Sequence, residues 1–162
     1  MRKWAIPVAC VLASSAGAAV ATQTPSSRVH IDSAQALNAC MSPEEQRRPE
    51  AQFSAAQKRR IVACINADAA RQANAQLPAQ VDEITRLVRM TSSGPTLTYH
   101  YTIARRLAEM PANVRDLIET ATRAYVCGQQ NMVHTMQMGG VYAYRWLDPD
   151  GRLIDQIQIT GC

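Results

Sequence analysis

The side chains in this sequence that could do chemistry are few and widely spaced. The only histidines are His30, His100 and His134, and no second histidine or acid stands at metal-ligand spacing from His134. His100 takes a polar position in an alternating segment, where an exposed strand residue is the simplest interpretation. The histidines therefore predict no metal centre.

Two further sets of side chains could bind a metal: the acids Asp148, Asp150 and Asp155, and the methionines Met132, Met136 and Met138. Two of the acids lie in Asp-Pro-Asp-Gly, a type I turn pattern that lacks the ligand series of a calcium loop. The methionines could resemble a copper-binding set, but flexible methionine more often fills a core. Nucleophile elbows, phosphate loops and dinucleotide fingerprints do not occur. We expect a protein that is not an enzyme and needs no cofactor.

The start of the sequence predicts export. Arg2 and Lys3 precede an apolar stretch that closes on Ala19-Val20-Ala21, as in a secretory signal peptide cleaved before Thr22. The stretch is rich in Ala, Ser and Gly, so a transmembrane helix is the weaker interpretation. Cys10 lacks a preceding leucine-like residue, so we do not expect it to be lipidated. We expect a periplasmic or secreted protein with no stable membrane anchor after cleavage.

Four cysteines remain after the signal: Cys40, Cys64, Cys127 and Cys162. An even number in an exported chain indicates disulfides, for which three pairings are possible. We expect local pairing, Cys40 with Cys64 and Cys127 with Cys162, because each pair then lies within one structural half. A zinc site is the alternative, but it would need CxxC-type spacing that is missing.

Length and charge indicate one domain without a nucleic-acid footprint. The 162-residue chain carries a formal net charge of +4, which falls when Arg2 and Lys3 leave with the signal. We divide the chain into a signal peptide at 1–21, a flexible leader at 22–32 and a single domain at 33–162. We expect no nucleic-acid partner.

Residues 33–77 form the predicted helical segment of that domain. Ser33 could cap a short helix that ends at Cys40, and Ser-Pro-Glu-Glu from Ser42 is a strong helix start. A long Ala-rich pattern then runs from 51 to 77, and Pro78 ends it.

Residues 78–162 are predicted to form a sheet with helices. Extended segments at 81–90 and 97–103 suggest one hairpin, and the segments flanking Asp-Pro-Asp-Gly near the C-terminus suggest another. Between them, Val114, Leu117, Ile118, Ala121 and Tyr125 follow helical spacing, and a short helix carries Met132. The predicted fold class is α+β: an antiparallel sheet of about four strands, in the order ββ-α-ββ, flanked by helices on one face.

Aromatic side chains concentrate in the predicted strands: Tyr99, Tyr101, Tyr142, Tyr144 and Trp146. Their large amphipathic rings could line a partner-binding groove between sheet and helix. The alternative is that they simply form the core. An exposed sheet edge offers a second route, by addition of an extended peptide.

The C-terminal half resembles the beta-type, AspS-like pilotins of type II secretion systems. The matching features are Leu77-Pro78, TRLVRMTSSGPTLTYHYTI, a helix leading into Cys127, GVYAYRW, the turn with Gly151 and the terminal Cys162. The resemblance implies a helix-flanked antiparallel sheet and one disulfide from the end of a middle helix to the chain's end. It also implies a non-catalytic module that binds a segment of a secretin and helps it reach or assemble in the outer membrane. The competing hypothesis is a periplasmic inhibitor or immunity protein that binds a toxin or exclusion factor.

Overall fold

The computed structural model describes residues 29–162. The predicted signal peptide and most of the predicted leader therefore lie outside the described residues. The helices are α1 (Ser33–Cys40), α2 (Pro43–Arg47), α3 (Ala55–Asn74), α4 (Val114–Gly128) and α5 (Gln130–Gln137), with single 3-10 turns at Glu50–Gln52 and Leu107–Glu109. The strands are β1 (Ala79–Gln80), β2 (Thr85–Ser93), β3 (Thr96–Ile103), β4 (Val141–Leu147) and β5 (Leu153–Ile159).

Local capping explains where the N-terminal helices begin. The Ser42 hydroxyl accepts from the Glu45 amide and the Glu45 carboxylate accepts from the Ser42 amide, which is the capping box expected at α2. Ser54 and Gln57 make the same reciprocal pair at α3. The long helix is therefore shorter than the predicted 51–77, because a second cap at Ser54 starts it later and it ends at Asn74.

The sheet has five strands in the order β1-β2-β3-β4-β5, one more than predicted. The Asp82 carboxylate accepts from the amides of Ile84 (3.0 Å) and Thr85 (2.9 Å). This turn takes up the first residues of the predicted 81–90 strand, so that β2 begins only at Thr85. The short β1 precedes the predicted strand.

The sheet is mostly antiparallel, but β3 and β4 run parallel, from Thr96 beside Val141 to Thr102 beside Leu147. A wholly antiparallel sheet was the wrong expectation at this one junction. Helices α4 and α5 return the chain to the end where β3 began, so β4 enters the sheet in the same direction.

The helices cover one side of the sheet, which we call the helix face. The strand residues on this face are Leu87, Met90, Leu97, Tyr99, Tyr101, Tyr142, Tyr144, Trp146, Ile157 and Ile159. They share one apolar cluster with Ala69 and Ala73 of α3, Val126 of α4, and Met136 of α5. This cluster is the core of the domain. Met132 and Met136 of α5 both contribute to it, in agreement with the core interpretation of these methionines.

A bulge at the start of β5 changes which side chain reaches the core. Leu147 pairs with Leu153 and Trp146 pairs with Asp155, so Ile154 is the additional residue. Ile154 is fully buried, whereas Leu153 is exposed. Simple alternation back from Ile157 and Ile159 would place Leu153 on the helix face, and the bulge reverses that assignment.

Two disulfides join Cys40 to Cys64 and Cys127 to Cys162, the local pairing expected from the sequence. The first attaches the end of α1 to the middle of α3, and the second attaches the end of the chain to the end of α4. Disulfides of this kind are consistent with an exported protein. Within residues 29–162, no helix combines the length and apolar character needed to cross a membrane.

Candidate partner-binding groove

Adjacent positions on β3 and β4 hold the five aromatic residues singled out in the sequence. The parallel register sets Tyr99 beside Tyr144 and Tyr101 beside Trp146. The Tyr99 and Tyr144 ring centroids are 4.8 Å apart with the planes tilted by 5°, and those of Tyr101 and Trp146 are 5.7 Å apart. Tyr142 lies next to Tyr99, with a centroid distance of 6.4 Å. The five side chains thus form one aromatic layer on the helix face, stacked except at Tyr142, whose ring is tilted by 40° to that of Tyr99.

Burial separates this aromatic layer into two parts. Tyr142, Tyr144 and Trp146 on β4 are buried and belong to the core. Tyr99 and Tyr101 on β3 remain half-buried, although β3 is the middle strand of the sheet. Of the five predicted residues, only these two retain partial contact with solvent.

Helices α3 and α4 cover different parts of the sheet. Helix α3 packs against β2 and the adjoining part of β3, whereas α4 packs against β5 at the other side of the sheet. Tyr99 and Tyr101 lie between them and form the floor of what we call the aromatic groove. On the α3 side, Leu77 is partly buried and packs against the core. The preceding Gln76 accepts a hydrogen bond from the His30 amide at its Oε1 and donates one to the His30 carbonyl oxygen from its Nε2.

Helix α4 supplies the opposite wall. Its inner positions Val114 and Ile118 are partly buried, and Val126 is fully buried. Leu117 and Tyr125, which the helical spacing had grouped with these core positions, are instead 54% and 60% exposed. Both side chains therefore leave apolar surface of α4 in contact with solvent.

The hydroxyl groups of the tyrosines converge in this region. Burial raises the pKa of Tyr144, and the neighbouring Tyr99, Tyr101 and Tyr125 raise it further. Because Tyr125 contributes to that shift, the exposed flank of α4 stands close to the aromatic floor. Burial likewise raises the pKa of Tyr99 and of Tyr101, so these hydroxyls stay protonated and act as neutral hydrogen-bonding groups at physiological pH.

The Tyr144 hydroxyl has no hydrogen-bond partner within the described part of the chain, although it is buried. Buried polar groups normally have such a partner. An aromatic floor with neutral hydroxyls and an apolar helical wall is suited to binding an amphipathic protein segment.

No three His, Cys, Asp or Glu side chains between residues 29 and 162 come together in a metal-binding arrangement. The sequence signal that could have identified Leu117 and Tyr125 as surface residues is weak, because their spacing is also that of a core helix stripe.

Comparison with known proteins adds information at the level of the fold. No protein-family model matches the chain, and no curated protein matches it in sequence. Among solved structures, a protein from Pseudomonas aeruginosa described as secreted superposes with a TM-score of 0.55 and 14% identity, over 63% of this chain and 91% of that one.

Two solved pilotins of type II secretion systems have the same fold. The pilotin EpsS of Vibrio vulnificus superposes with a TM-score of 0.55 and 17% identity, over 64% of this chain and 92% of its own. The pilotin AspS of Vibrio cholerae gives a TM-score of 0.53 and 15% identity, over 64% of this chain and 93% of its own. The resemblance to AspS-like pilotins inferred from the sequence is confirmed for the fold.

Proposed function

We propose that this chain is a non-catalytic, pilotin-like binding module of the periplasm whose partner is a segment of a secretin. The observation that carries the proposal is the shared fold with two type II secretion pilotins, each covered over more than nine-tenths of its length. The half-buried Tyr99 and Tyr101 supply a surface on that fold where a partner can dock. Export is supported by the signal-like N-terminus and by the two disulfides.

The shape of the aromatic groove favours a helical partner segment. Its floor is the central strand β3, and its walls run along α3 and α4. An amphipathic helix that places its apolar side on Tyr99 and Tyr101 would also cover Leu117 and Tyr125. Burying these exposed apolar side chains supplies the driving force, and the tyrosine hydroxyls fix the orientation through hydrogen bonds.

Binding can be measured through the protein's own fluorescence. The sequence contains two tryptophans, Trp4 in the predicted signal and Trp146 in the aromatic layer. The exported protein would therefore report from Trp146 alone. Titration with synthetic segments that cover the secretin from the same genome should change its emission saturably, with the affinity checked by calorimetry.

Variants of α4 locate the binding surface. Leu117→Asp should weaken binding by roughly tenfold or more, because truncation or charge at a buried anchor commonly costs over 1 kcal/mol. Thr120→Asp, an exposed position on the same helix, is the matched control and should bind as the unmodified protein does. Equal loss in both variants, or in neither, would place the partner elsewhere.

The partner class is tested by capture from periplasmic extract with the same pair of variants. Recovery of a secretin fragment that Leu117→Asp loses and Thr120→Asp keeps supports the proposal. Recovery of a hydrolase or toxin in its place would favour the inhibitor or immunity hypothesis and contradict the pilotin-like role.

A further inference from the structure

The face of the sheet opposite the helices carries an unusual row of basic side chains. This open face includes Arg86, Arg89, Thr91, Thr98, His100, Thr102, Arg145, Gln156 and Gln158, together with the apolar Ala143 and Leu147. It contains no acidic residue, and its arginines and glutamines are exposed. No described helix contributes to it, because the helices share their core with the other side.

Arg89, His100 and Arg145 occupy one row across three neighbouring strands. Arg89 on β2 pairs with His100 on β3, which pairs with Arg145 on β4. The bulge between Leu87 and Arg89 sets this register, because Val88 has no partner on β3. If Val88 occupied a regular position of the ladder, Arg89 would face the core. Two strand spacings separate the arginine backbones, roughly 9 to 10 Å.

The two arginines are not neutralised by the protein. Neither Arg89 nor Arg145 forms an ion pair with any residue in the range 29–162. Partial burial and then the charges of Arg89 and Arg145 lower the pKa of His100 from 6.5. Thr91 accepts or donates a hydrogen bond at 2.8 Å from the His100 Nε2. The row is thus a concentrated positive surface with hydroxyl groups beside it.

We propose that Arg89, His100 and Arg145 form a binding site for a phosphate group. A tetrahedral phosphate above His100 presents separate oxygens to the guanidinium groups on either side and to the imidazole beneath it. A phosphate carries more negative charge than a carboxylate and has a third oxygen, so it can offer each of the three side chains its own acceptor, which a carboxylate can do only by sharing its oxygens. The bound phosphate also replaces the repulsion among these side chains with attraction.

Binding of phosphate at this site should be coupled to protonation of His100. His100 in the free protein is mostly neutral at pH 7, because its pKa is lowered. A bound anion favours the imidazolium form and raises that pKa. By the same coupling, phosphate binds more tightly as the pH falls. Apart from Arg89 and Arg145, no charged group on the neighbouring strands lies in register with His100.

NMR titration of the histidine rings in the oxidised, exported protein tests the site. Inorganic phosphate should raise the His100 pKa by about one unit and saturably, relative to sodium chloride at equal ionic strength. Arg89→Gln and Arg145→Gln should each weaken phosphate binding by roughly tenfold, the effect of losing a charge-assisted hydrogen bond. Arg105→Gln, an exposed loop arginine, is the control. An equal shift in chloride, or no shift, would overturn the proposal.

Two further arms identify the source of the phosphate. A larger shift with phosphatidylglycerol vesicles than with phosphatidylcholine vesicles supports a lipid headgroup, and a response to inorganic phosphate alone supports a soluble ligand. An equal shift with a glutamate-rich peptide would overturn the phosphate assignment and favour an acidic protein segment. The site lies on the face opposite the aromatic groove, so Leu117→Asp should leave this titration unchanged, and the two proposals fail independently.

Discussion

The side chain of Asn74 hydrogen-bonds both backbone groups of Met90. Its Nδ2 donates to the Met90 carbonyl oxygen at 2.8 Å, and its Oδ1 accepts from the Met90 amide at 2.9 Å. These groups lie at the margin of β2 beyond the end of the two-residue β1. The last residue of α3 therefore provides hydrogen-bond partners for the part of β2 that has no neighbouring strand.

Replacement of Asn74 should destabilise the fold. Asn74→Leu leaves two backbone groups of the buried Met90 without partners, so we expect the free energy of unfolding to fall by about 1–3 kcal/mol. Asn131→Leu, at an exposed position of α5, is the control and should change it by about 0.5 kcal/mol or less. Urea unfolding followed by circular dichroism measures both, and equal stability of the two variants would contradict the role of Asn74.

Replacing Tyr144 or Tyr142 by phenylalanine tests how the hydroxyl groups of the aromatic layer affect stability. Tyr144→Phe removes a buried hydroxyl that has no partner, so we expect the free energy of unfolding to rise by about 1 kcal/mol. Tyr142→Phe is the control, because the Tyr142 hydroxyl is not a buried group without a partner, and we expect no such gain. A destabilised Tyr144→Phe would mean that this hydroxyl has a partner after all. The denaturant unfolding midpoints of both variants show whether each substitution stabilises or destabilises the protein.

The Cys127–Cys162 disulfide should contribute strongly to stability. It closes a segment with a sequence separation of 35, which corresponds to about 3–4 kcal/mol in the chain-entropy model. The double variant Cys127→Ser and Cys162→Ser should lose this amount while Cys40–Cys64 remains. Calorimetry measures the change, and non-reducing peptide mapping of the unmodified protein verifies the pairing. A peptide joining Cys64 to Cys127 would refute it.

Asp148 should make the C-terminal hairpin sensitive to acid. Burial raises the pKa of Asp148, but hydrogen bonds from the amides of Arg152, Leu107 and Asp150 outweigh it, and the net pKa is lowered from 3.8. The folded state thus stabilises the ionised carboxylate relative to the unfolded chain. Its contribution is complete above pH 3.8 and is lost as the pH falls through the lower folded value.

Asp148→Asn tests this pH dependence. The unmodified protein should be more stable than the variant at neutral pH, and the difference should shrink as the pH falls below 3.8. Asp116→Asn, on the exposed surface of α4, serves as the control. A difference that stays constant between pH 7 and pH 2.5 would exclude the carboxylate as the acid-sensitive group.

Local chemistry made much of the fold predictable from the sequence. The Ser42 capping pattern, the turn ending at Gly151 and the alternation around Tyr99 each depend on a few neighbouring residues. The pairing of Cys127 with Cys162 followed because α4 and the last strand are close in sequence. These features need no knowledge of how distant segments pack.

Features that depend on packing were harder to predict. The parallel junction arises from the path of α4 and α5 across the sheet, and no short pattern in β3 or β4 specifies it. The exposure of Leu117 and Tyr125 likewise depends on where α4 lies over the sheet. The basic row required the bulge at Val88, which brings Arg89 to the side of His100 and which alternation alone does not show.

The parallel junction between β3 and β4 also bears on the order of folding. The β2–β3 and β4–β5 hairpins close between residues near in sequence, whereas the junction must join Thr96 to Val141. Forming it requires closure of a long loop before any contact forms across it, which slows this step. We therefore expect two hairpins to form early and the centre of the sheet to assemble last, when Tyr99 first stacks on Tyr144.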